Sequence, residues 1–269
     1  MIMMRYIKLY FKYAKLSIMS KLSYKSNTII GILAFLFTEI TSILTLFVIV
    51  SQVPSLEGWN MYQIGLLYGI TNLAIGIDHF FTDKLWNVAY FEVRSGAMDS
   101  LFLRPLPVLF QTIACEIQLE ALGEILTAIF LIVFCASNLT LMVNFANVLL
   151  LLIGIICASL LISSFKIIIA SMAFAFKRTG PFLQIIYNFA NYSKYPLTIF
   201  PKIIRFAFTF LIPLGLCIFY PVSNLFEPLN LGINIYLLMV IIILLSIIVF
   251  ILSIFIWAHF AKKYESTGS

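Results

Sequence analysis

Residues 237–257 read LLMVIIILLSIIVFILSIFIW: 21 consecutive positions without a charge, interrupted only by two serines. A transmembrane barrel strand alternates lipid-facing apolar residues with polar ones facing the lumen, and this stretch does not alternate. Surrounded by lipid, such a segment must satisfy its own backbone hydrogen bonds, so it predicts a helix of about 20 residues spanning the bilayer. Working outward, the chain repeats the theme. Apolar runs occupy 29–50, 61–77, 108–136, 145–176 and 181–200, and the last extends over 233–257. The 269 residues are 62% hydrophobic and 10% charged, with a mean hydropathy of +1.08. A water-soluble domain cannot cover itself with so little polar surface. The expectation is an all-α polytopic membrane protein: one domain over 1–269, six transmembrane helices, an N-terminal interfacial helix and a re-entrant segment before the last helix.

The charges lie mostly in the gaps. Arg5, Lys8, Lys12, Lys15, Lys21 and Lys25 precede the first run with no acid among them, whereas 51–60 carries only Glu57. Lys84, Arg94 and Arg104 follow the second run, 137–144 is uncharged, Lys177 and Arg178 follow the fourth, and Lys262 and Lys263 follow the last. Alternate loops are basic, so the positive-inside rule predicts both termini in the cytoplasm, with the plasma membrane as the location. A net charge of +6 placed beside membrane spans is no nucleic-acid signal, and the lipid bilayer is the partner it implies. No cleavable signal peptide is legible in 1–22, which is basic and broken by lysines. Cys115, Cys135, Cys157 and Cys217 all fall in apolar segments without metal or redox spacing and read as small core residues. Two Asn-x-Ser/Thr patterns, at Asn138 and Asn191, are taken as chance.

Two segments are unusual. On a helical wheel Arg5, Lys8, Lys12 and Lys15 share one face, while Ile7, Tyr10, Phe11, Ala14 and Ile18 share the other. Residues 5–18 therefore read as a helix lying among anionic headgroups, the alternative being a solvated basic tail. The region 181–220 carries Asn188, Asn191, Tyr192, Ser193 and Lys194, then Pro196. The 15 residues between Arg205 and Pro221 make about 22 Å of helix, too short for a core of about 30 Å, and Pro213 sits among them. This predicts a fifth span at 181–200 followed by a re-entrant hairpin over 201–228. The alternative puts the fifth span at 203–220, which suits the positive-inside rule better.

The longest polar segment, 78–107, reads DHFFTDKLWNVAYFEVRSGAMDSLFLRPLP. It mixes charges with aromatic residues, and Gly96 and Pro105 bracket a stretch, 97–103, able to form one or two helical turns. A small amphipathic helix flanked by Arg94 and Arg104 suits docking into a groove on a soluble partner, although an ordinary interfacial loop has the same composition.

Residues 94–111 (RSGAMDSLFLRPLPVLFQ) resemble the signature of a branch of ABC-2 type transporter permeases. So do 21–30 (KLSYKSNTII), 195–221 (YPLTIFPKIIRFAFTFLIPLGLCIFYP) and 263–268 (KYESTG), so the resemblance runs over essentially the whole chain through loosely spaced motifs. It implies a coupling helix near 92–105 that seats on a nucleotide-binding subunit, with Glu92, Arg94, Gly96, Asp99, Leu101, Arg104 and Pro105 as the contact positions. It also implies a re-entrant segment before the last span. The partners it implies are a dimeric ABC ATPase carrying ATP-Mg and a second, non-identical permease, and some members of the branch are viologen-type exporters. The chain itself has no G-x-x-x-x-G-K-[ST] loop to cradle nucleotide phosphates, so no cofactor is expected in it. His79 and His259 are in no spacing that makes a metal site or a Ser/His pair.

Ionisable residues inside a membrane are costly and mark function or helix pairing. Glu116, Glu120 and Glu124 recur every four residues, which predicts one face of the third span. Glu39 lies mid-way along the first span. Lys166 would lie roughly 16 Å deep and Glu120 roughly 20 Å deep, so a Lys166–Glu120 or Lys166–Glu124 pair is geometrically open. Glu116 can snorkel to the interface. Glu39, Glu120, Glu124, Lys166, Asn188 and Asn191 are the candidate pathway residues, with surplus carboxylates attracting a cationic, amphipathic substrate. The leading expectation is the permease subunit of an ABC exporter rather than an enzyme. An ion-coupled secondary transporter is the alternative, though no inverted internal repeat is apparent; an intramembrane enzyme lacks a nucleophile–base or metal constellation.

Overall fold

A computed structural model of the chain describes residues 2–52, 55–226 and 234–266. Among these, the only pairing of strand type is an isolated bridge between Leu56 and Trp59; the rest is helix and turn. In chain order the helices are α1 (Ile2–Ser23), α2 (Lys25–Ser51), α3 (Met61–Thr82), α4 (Lys84–Asn87), α5 (Asp99–Phe102), α6 (Val108–Ala114), α7 (Ala121–Ser137), α8 (Phe145–Phe176), α9 (Gly180–Tyr192), α10 (Lys202–Phe206), α11 (Tyr220–Ser223) and α12 (Ile235–Ala261). Four of them, α2, α3, α8 and α12, are long and apolar enough to cross a bilayer, and a bent pair before α12 makes a fifth if counted as one broken crossing.

Local sequence sets the ends of the long helices. The Asn144 side chain accepts from the Asn147 amide to start α8, and Lys177 ends it in a left-handed turn at φ 63°. Asn60 and Gln63 form a reciprocal capping box at the head of α3. Helix α12 is apolar all round and lies along α8, while α3 is wedged between α7 and α8. A Cβ at Gly69 of α3 would meet Ile132 Cγ1 at 2.9 Å and the Ala128 carbonyl at 3.3 Å, so glycine there lets the α7 backbone close in. Helix α2 sits outside this core and buries only Thr28, Leu46 and Val50.

Two expected spans are not continuous. The third, 108–136, breaks at residues 115–120. The Ile117 amide donates to Ser17 Oγ of α1 at 2.9 Å, and the Gln118 amide donates to the Phe80 carbonyl at 3.1 Å, so neighbours satisfy the backbone that the helix would have used. The Glu116–Glu120–Glu124 face therefore does not form, because only Glu124 lies in α7. The fifth, 181–200, is α-helical only to Tyr192; Pro196 prevents its continuation, and a single 3-10 turn follows at Leu197–Ile199. The alternative at 203–220 also fails as a straight helix: Lys202–Leu211 and Gly215–Ser223 meet at 86° around Pro213. Each arm contains a π-helical turn, Ala207–Leu211 and Gly215–Phe219. The second arm lies so close to α8 that the Cys217 carbonyl occupies the space a Cβ at Gly154 would fill. Residues 227 and 228 of the expected hairpin, and 233 of the last span, lie outside the described residues, as do 267 and 268 of the C-terminal motif.

Helix α1 and residues 264–266 both pack around the 83–107 loop and the start of α6. There α1 sets Tyr6 edge-on against Phe110 with ring centroids 5.2 Å apart, and Lys21 reaches Glu120 at 2.7 Å. On its wheel Ala14 is buried and Tyr10 and Ile18 pack beside it, but Ile7 and Phe11 stay exposed. The stretch expected to form one or two turns at 97–103 forms one, α5, after Gly96 turns at φ 73°.

Candidate functional site

The innermost polar group is a closed ion cluster. Asp78 occupies the last turn of α3, which runs five residues past the apolar run that ended at 77, and it is buried with Lys166 of α8. Lys166 Nζ lies 2.7 Å from Asp78 Oδ2 and 3.8 Å from Asp83 Oδ1. Ser163 and Thr82 hydroxyls each donate to Asp78 Oδ1 at 2.6 Å, and the Tyr187 hydroxyl donates to Oδ2. Lys166 therefore pairs with aspartates rather than with Glu120 or Glu124: Glu120 is drawn to Lys21, and Glu124 to His79. A buried carboxylate repays its desolvation only when its lone pairs are occupied, and the hydroxyls of Thr82, Ser163 and Tyr187 occupy those of Asp78.

Beside the cluster lies a cavity of about 320 Å³ between α2, α3, α7 and the end of α9. Glu39, His79, Glu124, Tyr187, Asn191 and Lys194 supply its polar wall. His79 Nδ1 and Glu124 Oε2 are 2.8 Å apart, and the His79 ring stacks on Tyr187 with centroids 5.1 Å apart. Glu39 accepts from the Asn72 amide. Lys194 follows the end of α9, held in place by the Thr71 hydroxyl, which donates to the Ser193 carbonyl at 3.1 Å. Its ammonium sits 4.6 Å above the Tyr68 ring.

At the terminal face the loop is pinned from inside and open outside. Met98 and Val93 are fully buried. Phe102 stacks on Tyr264 with centroids 4.6 Å apart, Tyr264 packs edge-on against Phe174, and Phe174 against Trp257, so α5 is tied to both α8 and α12. Asp99 accepts from the Tyr264 hydroxyl at 2.6 Å and the Ser266 hydroxyl at 2.7 Å, and these bonds hold its carboxyl below the usual carboxylate range. Gln111 Nε2 donates to the carbonyls of Leu101 and Leu106. Lys84 bridges Glu92 at 2.5 Å and Glu116 at 3.3 Å; burial alone would lower its pKa, but the hydrogen bond and charge of Glu92 prevail and raise it. Arg94, Leu103, Arg104 and Pro105 point outward.

Residues 18–268 match the model of the ABC-2 family transporter protein family. The chain belongs to that family. It is thus a membrane-embedded, multi-pass permease component of an ABC transporter, a transport subunit that works with an ATPase. Among curated proteins no significant match is found. Of the six pathway positions read from the sequence, the permease brings Glu39, Glu124 and Asn191 to one cavity. It sends Glu120 to the terminal face, closes Lys166 into the ion cluster and leaves Asn188 on the exposed side of α9, bonded to Gln184. Asp78, His79 and Tyr187 are the residues that sequence reasoning missed. Asp78 had a signal in Thr82, four residues on and able to cap it, but it fell just past the edge of the apolar run.

Proposed function

We propose that this permease is the transmembrane part of an exporter at the plasma membrane, with both termini and the 83–107 loop in the cytoplasm, where the loop seats on a separate dimeric ATPase that binds ATP-Mg. The observation that carries this reading is the construction of the loop. Met98, Asp99 and Phe102 anchor it to α8, α12 and the C-terminal tail, while Arg94, Leu103 and Arg104 face outward as a contact patch. A rigidly anchored handle transmits a push from the ATPase to the two helices behind it. Glu92, Gly96 and Leu101 serve that handle by shape, through the Lys84 bridge, the left-handed turn and the Gln111 bond, and Pro105 lies on its exposed side. The cavity bearing Glu39 and Glu124 supports a substrate route along α2. A second, non-identical permease would meet this one along α2, whose outer face is exposed and carries Thr41 and Thr45 with hydroxyls bonded back to the helix.

The experiment is co-purification with the ATPase and reconstitution of both. Arg104→Glu, or deletion of residues 96–103, should leave membrane insertion intact and lower transport at least ~10-fold while ATP hydrolysis persists. Normal transport by both variants removes the docking assignment. The chain of titratable groups from Lys166 through Asp78 and Tyr187 to His79 and Glu124 favours one competing reading, ion-coupled transport without ATP. Transport at full rate by the permease alone on an ion gradient would decide for it.

A further inference from the structure

The cavity next to α2 holds charges of both signs that do not meet. Lys194 is 8% exposed, lines the cavity, and its ammonium makes no hydrogen bond and no ion pair among the described residues; it sits against the Tyr68 ring. Glu39, on the same cavity, has an amide donor in Asn72 but no cationic partner within ion-pair distance among the described residues. Glu124 is already engaged by His79. A buried ammonium without an anion is costly, and the long side chain of Lys194 has not closed onto Glu39 to relieve it. The surrounding wall includes Phe35 and Ile75, which suits an alkyl chain beside the charged groups.

We infer that this cavity is a binding site for an amphoteric ligand, one that carries an ammonium and an anionic group on the same molecule, with Lys194 receiving the anion and Glu39 the ammonium. A purely cationic substrate satisfies Glu39 and leaves Lys194 unpaired, so the site discriminates against it. This refines the substrate route in the proposed function and rests on that reading. The chemistry is shared by two sources: a small amphoteric solute and a phosphatidylethanolamine headgroup.

The test uses the full chain in phosphatidylcholine nanodiscs, titrated calorimetrically with three probes of equal chain length: N-dodecylglycine, dodecylamine and dodecanoate. Empty nanodiscs give the partition background. N-dodecylglycine should bind about tenfold more tightly than either singly charged probe, a difference of one ordinary charge contact. Lys194→Met should abolish the preference for N-dodecylglycine over dodecylamine, and Glu39→Gln the preference over dodecanoate. Lys194→Arg, which keeps the charge, should retain the preference and guards against a folding artefact. Equal affinities for the three probes, or an unchanged preference in Lys194→Met, overturns the inference. Adding phosphatidylethanolamine to the nanodiscs separates the sources: competition assigns the site to the headgroup, and undiminished binding assigns it to a free solute. No ATPase is present, so failure here leaves the coupling role of residues 96–103 standing, and loss of coupling leaves this binding intact.

Discussion

Lys166 and Lys194 are both buried lysines, each set against a tyrosine ring, yet they are treated in opposite ways. Lys166 has Asp78 at 2.7 Å, and every oxygen of that carboxylate has a hydroxyl partner. Lys194 has an aromatic ring below it and an open cavity beside it. The first arrangement ties α3, α8 and α9 together. The second leaves a charge available. A buried cation thus indicates function only when its neighbours leave it unfinished, and intramembrane position alone does not sort the two.

The largest effect that tests this contrast is on stability. Lys166→Met strands Asp78 as a lone buried carboxylate and should destabilise the permease by about 3–5 kcal/mol, seen as a fall in melting temperature in detergent. Combining it with Asp78→Asn should recover much of the loss. Lys194→Met should cost far less, because it removes a charge that has no anionic partner. Equal losses at the two lysines would break the comparison. Tyr187→Phe comes next: deleting the hydroxyl that donates to Asp78 should cost about 1.5–3 kcal/mol by the same measurement. The smallest effect lies at the terminal face. Asp99 has its carboxyl pKa lowered by Tyr264 and Ser266, so the clamp on the C-terminal tail is fully present above its unfolded value of about 3.9 and is lost as pH falls through the lower folded value. The protection factor of the Tyr264 amide, taken against its intrinsic exchange rate at each pH, should accordingly hold at neutral pH and fall in acid, and Asp99→Asn should lower it a few-fold at pH 7.

Helices were legible where one property ran unbroken. The apolar run read at 145–176 and the helix Phe145–Phe176 have the same limits because asparagine begins the run and a lysine turn ends it. The break at 115–120 was not legible. Glu116, Gln118 and Glu120 keep helical spacing, and only the arrival of Ser17, Lys21 and the Phe80 carbonyl makes the irregular backbone affordable. Half of the cavity was legible: Glu39, Glu124 and Asn191 stood out as polar residues in apolar surroundings. His79 did not, since a lone histidine carries no spacing signal until Glu124 and Tyr187 are set against it.

By itself the sequence determined that this chain folds as helices in lipid and where apolar runs begin, because hydropathy adds along the chain and needs no knowledge of neighbours. The family-like loop at 94–111 was likewise written in contiguous residues. Which acid meets which lysine was decided only by tertiary structure. That choice depends on the rotation and depth of separate helices, and a change of one residue in either moves a side chain by 100° around the axis and about 1.5 Å along it.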